Sequence, residues 1–175
     1  MKKDLIIKKQ LEEIKKLKKE KDELKKLIYL DYLTRVYNRR GLIEVSEGYF
    51  QSIKTTGKNY RKGDKVLKSF ANFLRKNFRK TDIISRWGGE EFVILLINAP
   101  YELAEKIADK IRKKIDGCVF NGLKITVSIG VLSYTKESSL EELIDEADRL
   151  MYLAKKRGKN QVISKYSKCF PLWKK

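Results

Sequence analysis

The chain has 175 residues, 42% of them hydrophobic and 37% charged, which is enough for one ordinary core with an extension. It contains no histidine, which excludes histidine acid–base catalysis and histidine metal ligands, and two cysteines make neither a disulfide framework nor a zinc site. The formal net charge of +18 allows nucleic-acid or lipid partners, but the lysines are spread along the whole chain, which favours a solvated basic surface without nucleic acid. Without a long apolar run or a signal peptide, we expect a cytoplasmic protein with no membrane partner.

Residues 1–30 predict a helical stalk, because they lack Gly and Pro and are rich in Lys, Glu, Leu and Ile. Two apolar rows repeat along this stalk at heptad spacing, which indicates an imperfect coiled coil. The alternative is a lone solvated helix, but a polar helix of this length gains little without a partner, so we expect a homodimer through residues 1–30. The rows comprise Ile7, Ile14, Ile28, Leu17 and Leu24, and they are interrupted by Lys21 and Gln10.

The rest of the chain alternates helices with strands after a joint at 31–40. Helices alternating with strands around one central hairpin predict an α/β sandwich. We expect the stalk at 1–30, one domain at 31–164 and a tail at 165–175. The predicted helices cover 41–54, begin at Gly63, cover 103–115, and run from the capping box of Ser139 and Glu142 to Gly158. The predicted strands cover 83–87, 91–97, 124–132 and 161–163. Turns are predicted at 55–59 and at Gly88-Gly89.

The most informative segment is Arg86-Trp87-Gly88-Gly89-Glu90-Glu91-Phe92. The two glycines predict a tight hairpin whose backbone can approach a ligand closely. Two carboxylates follow at once, one on each face of the new strand, and a carboxylate at a phosphate-binding turn is a ligand for a hard cation such as Mg²⁺. By itself this segment would also suit an ordinary hairpin.

This hairpin resembles the signature of the GGDEF family, the diguanylate cyclases, in its Glu variant. Four other segments agree with the family's motifs in the family's order, and the likeness covers about residues 31–163. Five motifs in register are far more specific than any one of them. The four segments are Asp31, Leu33, Thr34, Asn38, Arg39 and Arg40; Gly63-Asp64; Ile125 to Val131; and Ala147-Asp148, Tyr152, Ala154-Lys155 and Gly158-Lys159-Asn160.

The resemblance implies a palm-like sheet that binds GTP, with Mg²⁺ or Mn²⁺ as cofactor. In the family two such domains face each other, and each 3′-hydroxyl attacks the other nucleotide's α-phosphate, which gives cyclic di-GMP and pyrophosphate. A product made from two half-sites requires a dimer, which would give the stalk a purpose.

The same resemblance implies a role for individual residues. Glu90 is the implied metal ligand and candidate base, and Glu91 is the second catalytic acid. The backbone of Gly88 and Gly89 passes the nucleotide, and Asp64 accepts hydrogen bonds from guanine. Lys155 and Lys159 contact the terminal phosphates, although the family usually has Arg at the second position. The structural alternatives are a helix N-cap for Asp64 and solvated helix-end charges for the two lysines.

Arg79-Lys80-Thr81-Asp82 matches the family's inhibitory "RxxD" site, which binds cyclic di-GMP. The resemblance implies that Arg79 donates two hydrogen bonds to a guanine or a phosphate and that Asp82 accepts hydrogen bonds from the edge of a guanine. The motif is common by accident, but its distance from Gly88 is the family's distance.

The chain departs from the family where a central strand should carry "DxD", which supplies the other metal ligand. In the alignment we prefer, 41–54 is the first helix and about 20 residues including that strand are absent. In the second alignment, Glu44 to Phe50 is a degenerate strand with Ser46 and Gly48 in place of the aspartates, and the first helix is absent. In both, no Asp-x-Asp exists.

Three functions follow as alternatives. The leading interpretation is a diguanylate cyclase that condenses GTP into cyclic di-GMP. The second is a catalytically degenerate domain that senses cyclic di-GMP through Arg79 and Asp82. The third is a dimerising or nucleic-acid-binding basic module, which would bind nucleic acid in a salt-dependent manner.

Overall fold

The computed structural model describes residues 2–45, 50–56, 63–133 and 139–165, with residues 2–6, 50–56 and 133 described by their backbone. The helices are α1 (Lys2–Tyr29), α2 (Arg39–Val45), α3 (Gly63–Asn77), α4 (Tyr101–Asp116) and α5 (Leu140–Lys156). The strands are β1 (Tyr37–Asn38), β2 (Phe50–Thr56), β3 (Ile83–Gly88), β4 (Glu91–Ile97), β5 (Val119–Phe120), β6 (Leu123–Lys124), β7 (Ser128–Ser133) and β8 (Val162–Lys165).

Six strands form one sheet in the order β1-β3-β4-β2-β7-β8, and β5 pairs with β6 in a separate ribbon. The outer pairs β1–β3 and β7–β8 are parallel, and the inner pairs are antiparallel. Both faces of the sheet are covered, because β4 is buried along almost its whole length. The predicted α/β sandwich with an N-terminal helix is therefore confirmed.

Two apolar cores lie on opposite faces of the sheet. Residues of α3 and α4 pack on one face against Phe92, Ile94 and Ile129, and residues of α2 and α5 pack on the other against Val93 and Leu95. The alternation along β4 places successive side chains in different cores, as a pleated strand requires. The result is a three-layer arrangement with helices on both sides.

The expected helix over 41–54 is wrong. The helix there, α2, ends at Val45, and Phe50–Thr56 forms the strand β2 in the centre of the sheet. Its backbone pairs with β4 from Phe50 to Thr56 and with β7 from Gln51 to Thr56. Without it, two buried strands would each leave a row of unpaired backbone groups, so sheet pairing outweighs a weak helix preference.

The centre of the sheet is therefore occupied by β2, and the helix before it, α2, has seven residues. The second alignment expects no helix here and a strand from Glu44 to Phe50. The structure has the helix α2, and that expected strand overlaps β2 only at Phe50. Ser46 and Gly48 lie outside the described residues. The sequence of β2, Phe-Gln-Ser-Ile-Lys-Thr-Thr, contains no carboxylate.

The predicted strand over 124–132 is divided. Its first residue belongs to β6, whereas the sheet strand β7 begins at Ser128. The ribbon of β5 and β6 was missed, although its signal was in the sequence. Asn121 and Gly122 have φ of +49° and +80°, as a two-residue Asn-Gly hairpin turn requires.

The stalk is confirmed as a helix, since α1 runs unbroken from Lys2 to Tyr29. Its apolar rows face outward, with exposed fractions of 49% at Ile14, 57% at Leu17 and 59% at Leu24. Pairing with a second copy stays a prediction. Among the described residues, no helix combines the length and the apolar character that crossing a membrane requires.

Candidate nucleotide-binding sites

The glycine hairpin joins β3 to β4 through a turn at Gly89 and Glu90. Gly88 pairs with Glu91 across the turn, and the ladder shifts register between Arg86 and Gly88. Gly89 has φ of +46°, which glycine adopts without a steric penalty. A Cβ added at Gly88 or Gly89 would meet no atom within 4 Å, so the hairpin backbone is open to approach. Glu90 lies in the turn, so the expectation that both acids stand on the strand is wrong for it.

The strand register places this hairpin at one end of the sheet together with three other chain segments. Glu91 lies opposite Thr56 of β2, and Thr56 lies opposite Ser128 of β7. The next residue of β7, Ile129, pairs with Val162 and donates its backbone N–H to the Gln161 carbonyl at 3.0 Å. At about 4.8 Å per strand, the hairpin and the segment before β8 are roughly 14 Å apart.

The end of α5 reaches the same end of the sheet. Helix α5 lies directly on β7, because a Cβ on Gly130 would be 2.1 Å from the Ala147 carbonyl oxygen. Helix α5 runs antiparallel to β7. Residues 157–161 connect its end to β8, which starts beside Ile129. Lys155 and Lys159, in the last turn of α5 and the loop after it, therefore share the hairpin's end of the sheet.

Two of the predicted site residues have clear local reasons for their positions. Lys159 has φ of +64° and donates its backbone N–H to the Ala154 carbonyl at 3.0 Å, so it follows the end of α5 in a capping turn. Asp64 is exposed in the first turn of α3, which follows β2 through residues 57–62. An acid in the first helical turn is favoured by the helix dipole, whatever else it binds.

The acids at this end of the sheet do not fit the Mg²⁺ or Mn²⁺ that the resemblance implies. The resemblance places one ligand on the hairpin and the other on the central strand, but no residue from 48 to 63 is Asp or Glu. Glu91 already has an interaction partner within the protein. Across the described ranges, no group of three or more Asp, Glu or Cys residues is arranged to hold a metal ion. Glu90 would have to rely on waters and phosphates for the rest of the shell.

Arg86 braces the hairpin against the joint that follows α1. Its Nε donates to the Gly89 carbonyl at 2.9 Å, and its Nη1 donates to both carboxylate oxygens of Asp31 at 3.1 and 3.2 Å. The side chains of Arg86 and Asp31 are only 15% and 14% exposed. Charge-assisted bonds in such a sheltered place are stronger than surface ion pairs, so the turn is held in one position.

Asp31 also closes its own turn. Its carboxylate accepts hydrogen bonds from the backbone N–H of Thr34 at 2.8 Å and from the Thr34 hydroxyl at 2.6 Å. Burial alone would raise the pKa of Asp31, but the Thr34 bonds and the Arg86 guanidinium outweigh it and hold the pKa below its ordinary value. Asp31 is thus an ionised anchor.

Asn38 joins α1 to α2. Its side-chain amide donates to the Ile28 carbonyl at 2.7 Å, and its side-chain oxygen accepts from the Gly41 backbone N–H at 2.8 Å. Asn38 therefore supplies a hydrogen-bond partner to a backbone carbonyl near the end of α1 and to a backbone N–H near the start of α2. Beside it, the Arg39 guanidinium lies 4.5 Å from the centre of the Trp87 ring, which places a second cation next to the hairpin.

The second candidate site is built on the turn from Arg79 to Asp82, between α3 and β3. The Asp82 carboxylate accepts the Arg79 backbone N–H at 2.9 Å, and the Asp82 backbone N–H donates to the Arg79 carbonyl at 3.1 Å. Asp82 therefore has a structural role in this turn. The Arg79 guanidinium is exposed and makes no hydrogen bond or ion pair with any residue that the structure describes.

A cavity of about 370 Å³ opens beside this turn. It has several cationic side chains in its wall and one carboxylate, so its field favours an anion. Residues of the joint after α1 also line the cavity. The lining residues are Leu30, Arg35, Val36, Tyr37, Arg75, Arg79, Lys80, Asp82 and Ile84.

Arg35 and Arg75 were not predicted from the sequence as residues of the cavity wall, and no role was predicted for Arg86. The hydrogen bonds that position Arg75 and Arg86 join residues far apart in sequence. Arg75 lies 41 residues after its partner Thr34, and Arg86 lies 55 residues after its partner Asp31. The sequence signal that could have predicted the Asp31–Arg86 ion pair is the opposite charge of these two residues, each of which belongs to one of the quoted motifs.

Comparison with known proteins places the chain in a family. The model of the "Diguanylate cyclase, GGDEF domain" family matches residues 48–161. Diguanylate cyclase DgcM of Escherichia coli is 41% identical over 106 residues, which are 60% of this chain and 26% of DgcM. The chain therefore spans about a quarter of the length of such curated relatives.

Solved structures agree on the fold. The coiled coil and GGDEF domain of DgcB from Caulobacter crescentus, determined in complex with c-di-GMP, has a TM-score of 0.76 at 16% identity and covers 94% of this chain and 100% of that one. A microbial GGDEF domain described in a novel interaction mode with cyclic di-GMP has a TM-score of 0.69 at 25% identity, covering 81% of this chain and 99% of that one. With the family model matched over more than half of its residues, the chain belongs to the GGDEF domain family of the diguanylate cyclases.

Proposed function

We propose that this GGDEF domain binds cyclic di-GMP at the cavity beside Arg79 and Asp82 and senses the dinucleotide without making it. The observation that carries the proposal is the charge of the cavity wall, which has four cationic side chains and one carboxylate. A cyclic dinucleotide carries two phosphates and two guanine edges, so it offers partners to both kinds of group.

Each of the two motif residues has a group available for the ligand. The Arg79 guanidinium has the planar fork that suits a phosphate or the acceptor edge of guanine. The Asp82 carboxylate uses one oxygen to accept from the Arg79 backbone, and its other oxygen can accept from a guanine N–H. The solved relatives in complexes with cyclic di-GMP support this choice of ligand.

Loss of synthesis follows from the composition of the central strand. The metal site implied by the resemblance needs a carboxylate from that strand, and β2 offers none. Lys159 also stands where the family usually has Arg, which keeps the charge but loses the bidentate fork. Binding at the Arg79 cavity depends on neither feature.

The second candidate is synthesis of cyclic di-GMP from GTP with Mg²⁺ or Mn²⁺. One observation favours it: the hairpin of Gly88 and Gly89, the acids Glu90 and Glu91, and the two lysines all lie at one end of the sheet. In that case Lys155 and Lys159 bind terminal phosphates, Asp64 accepts from guanine, and Glu90 and Glu91 act as the acids of the reaction.

Titration calorimetry with cyclic di-GMP tests the leading proposal. Wild type is expected to bind, and Arg79→Ala and Asp82→Asn are expected to weaken binding by at least tenfold, since each removes a charge-assisted bond. Arg149→Ala is the matched control, because Arg149 is exposed on α5 outside the cavity. Wild type that does not bind, or that binds equally well without Arg79, contradicts the proposal.

Incubation with GTP and Mg²⁺, followed by product analysis, separates the two candidates. The sensor predicts unchanged GTP at every protein concentration. Cyclic di-GMP that forms with wild type and is lost in Glu90→Gln would instead establish the second candidate.

A further inference from the structure

We propose that Arg35 is a ligand-contacting residue of the Arg79 cavity, and that its guanidinium binds a phosphate of the cyclic dinucleotide. This inference rests on the proposed function, and it adds a contact from a different part of the chain. Arg35 belongs to the joint after α1, whereas Arg79 and Asp82 belong to the turn before β3.

The backbone of Arg35 is held in an unusual conformation. Its φ is +59°, in the left-handed region that favours glycine and that other residues adopt infrequently. Neighbouring bonds impose this: Arg35 donates its backbone N–H to the Asp31 carbonyl at 2.9 Å, and the Asp31 backbone N–H donates to the Val36 carbonyl at 2.8 Å. Gly would adopt this φ without a steric penalty, so the backbone turn by itself does not require an Arg side chain.

The side chain of Arg35 is free to serve a ligand. It is exposed, lines the same cavity as Arg79, and makes no hydrogen bond or ion pair with any of the described residues. With Arg79 and Lys80 it forms a group of three cations, and Asp82 is the only acid in the cavity wall. A dianionic ligand bound in this cavity could neutralise the guanidinium groups of both Arg35 and Arg79.

Arg75 has a different part in the same wall. Its Nη2 donates to the Thr34 carbonyl at 2.8 Å, and its Nη1 donates to the Asn72 side chain at 3.3 Å. Arg75 therefore ties the turn that carries Arg35 to α3, which itself leads into the Arg79 turn. We assign Arg75 as a positioning residue and Arg35 as the contact.

The test compares Arg35→Gly, Arg35→Asn and Arg35→Lys with wild type in cyclic di-GMP titrations and thermal melts. Gly and Asn both suit a positive φ, so these variants should melt at the same temperature as wild type or higher. Both should weaken binding by about tenfold, because one charge-assisted contact is lost, and Lys should fall between them and wild type. The loss should shrink at high salt, as a charge contact requires.

Arg40→Gly is the control, since Arg40 is exposed on α2 outside the cavity wall. Equal affinity of wild type and both neutral variants overturns the role of Arg35. It leaves the proposed function standing if Arg79→Ala still binds at least tenfold more weakly than wild type. Absence of binding by wild type overturns both. Weaker binding that accompanies a lower melting temperature in Gly, Asn and Lys variants alike would assign Arg35 to the fold and also contradict the inference.

Discussion

Arg86 is bonded on two sides and connects the hairpin to the joint after α1. It reaches the Gly89 carbonyl on one side and the Asp31 carboxylate on the other. Changing Arg86→Ala should lower the free energy of unfolding by about 3 kcal/mol, because Asp31 is left sheltered from water without its cation. Chemical denaturation measures this. Arg149→Ala, which breaks an exposed pair, should change it by less than about 1 kcal/mol.

Asp31 gives the fold a pH dependence of definite sign. Because its pKa in the folded state lies below the ordinary value, its contribution is present above the unfolded pKa of about 3.9 and is lost as pH falls through the folded value. Wild type should therefore be more stable than Asp31→Asn by a constant amount above about pH 5, and the difference should shrink below about pH 4. A difference that grows as pH falls would contradict the assignment.

The spacing of the motifs could predict turns and caps formed by residues close in sequence. It could not predict ion pairs between residues of distant segments. The Gly88-Gly89 turn and the Ser139–Glu142 capping box are local, and the structure has both. The Asp31–Arg86 pair depends on β1 lying beside β3, which no local pattern specifies.

At the scale of elements, α5 packs closely against β7 at Gly130. A Cβ on Gly130 would be 2.1 Å from the Ala147 carbonyl oxygen and 2.7 Å from the Met151 backbone nitrogen. Gly130→Ala should therefore cost about 2–3 kcal/mol of stability, because a helix must shift. Gly88→Ala is the matched control in the same sheet, since a Cβ there meets no atom within 4 Å and stability should change little. Equal melting temperatures for the two variants would refute this packing.

Most elements could be predicted because their patterns are strong. Helices α3 and α5 have apolar stripes at helical spacing, and β4 is a continuous apolar run. Strand β2 could not be predicted in the same way, because it is held by backbone bonds to β4 and β7 and its own sequence is mostly polar. Its position in the sheet follows from β4 and β7, whose backbone edges would be unpaired without a strand between them.

For the whole molecule, the exposed apolar rows of α1 predict a dimer. Leu17→Asp with Leu24→Asp should convert the protein into a monomer, because both side chains lie on the predicted seam and are more than half exposed in the single chain. Light scattering after size exclusion measures the mass. The control is Lys19→Asp with Lys26→Asp, on the opposite side of the helix, which should leave the dimer intact. A wild type that is monomeric at every concentration would contradict the coiled coil.

The most direct test of a sensor that binds at the Arg79 cavity is a map of backbone amide shifts as cyclic di-GMP is added to isotope-labelled protein. We expect the largest changes at Arg35, Arg79 and Asp82, which line the cavity. The turn at Gly89 and the loop at Lys159 should change little. Changes concentrated at the hairpin and that loop, or no changes at a saturating concentration, would contradict the proposed function.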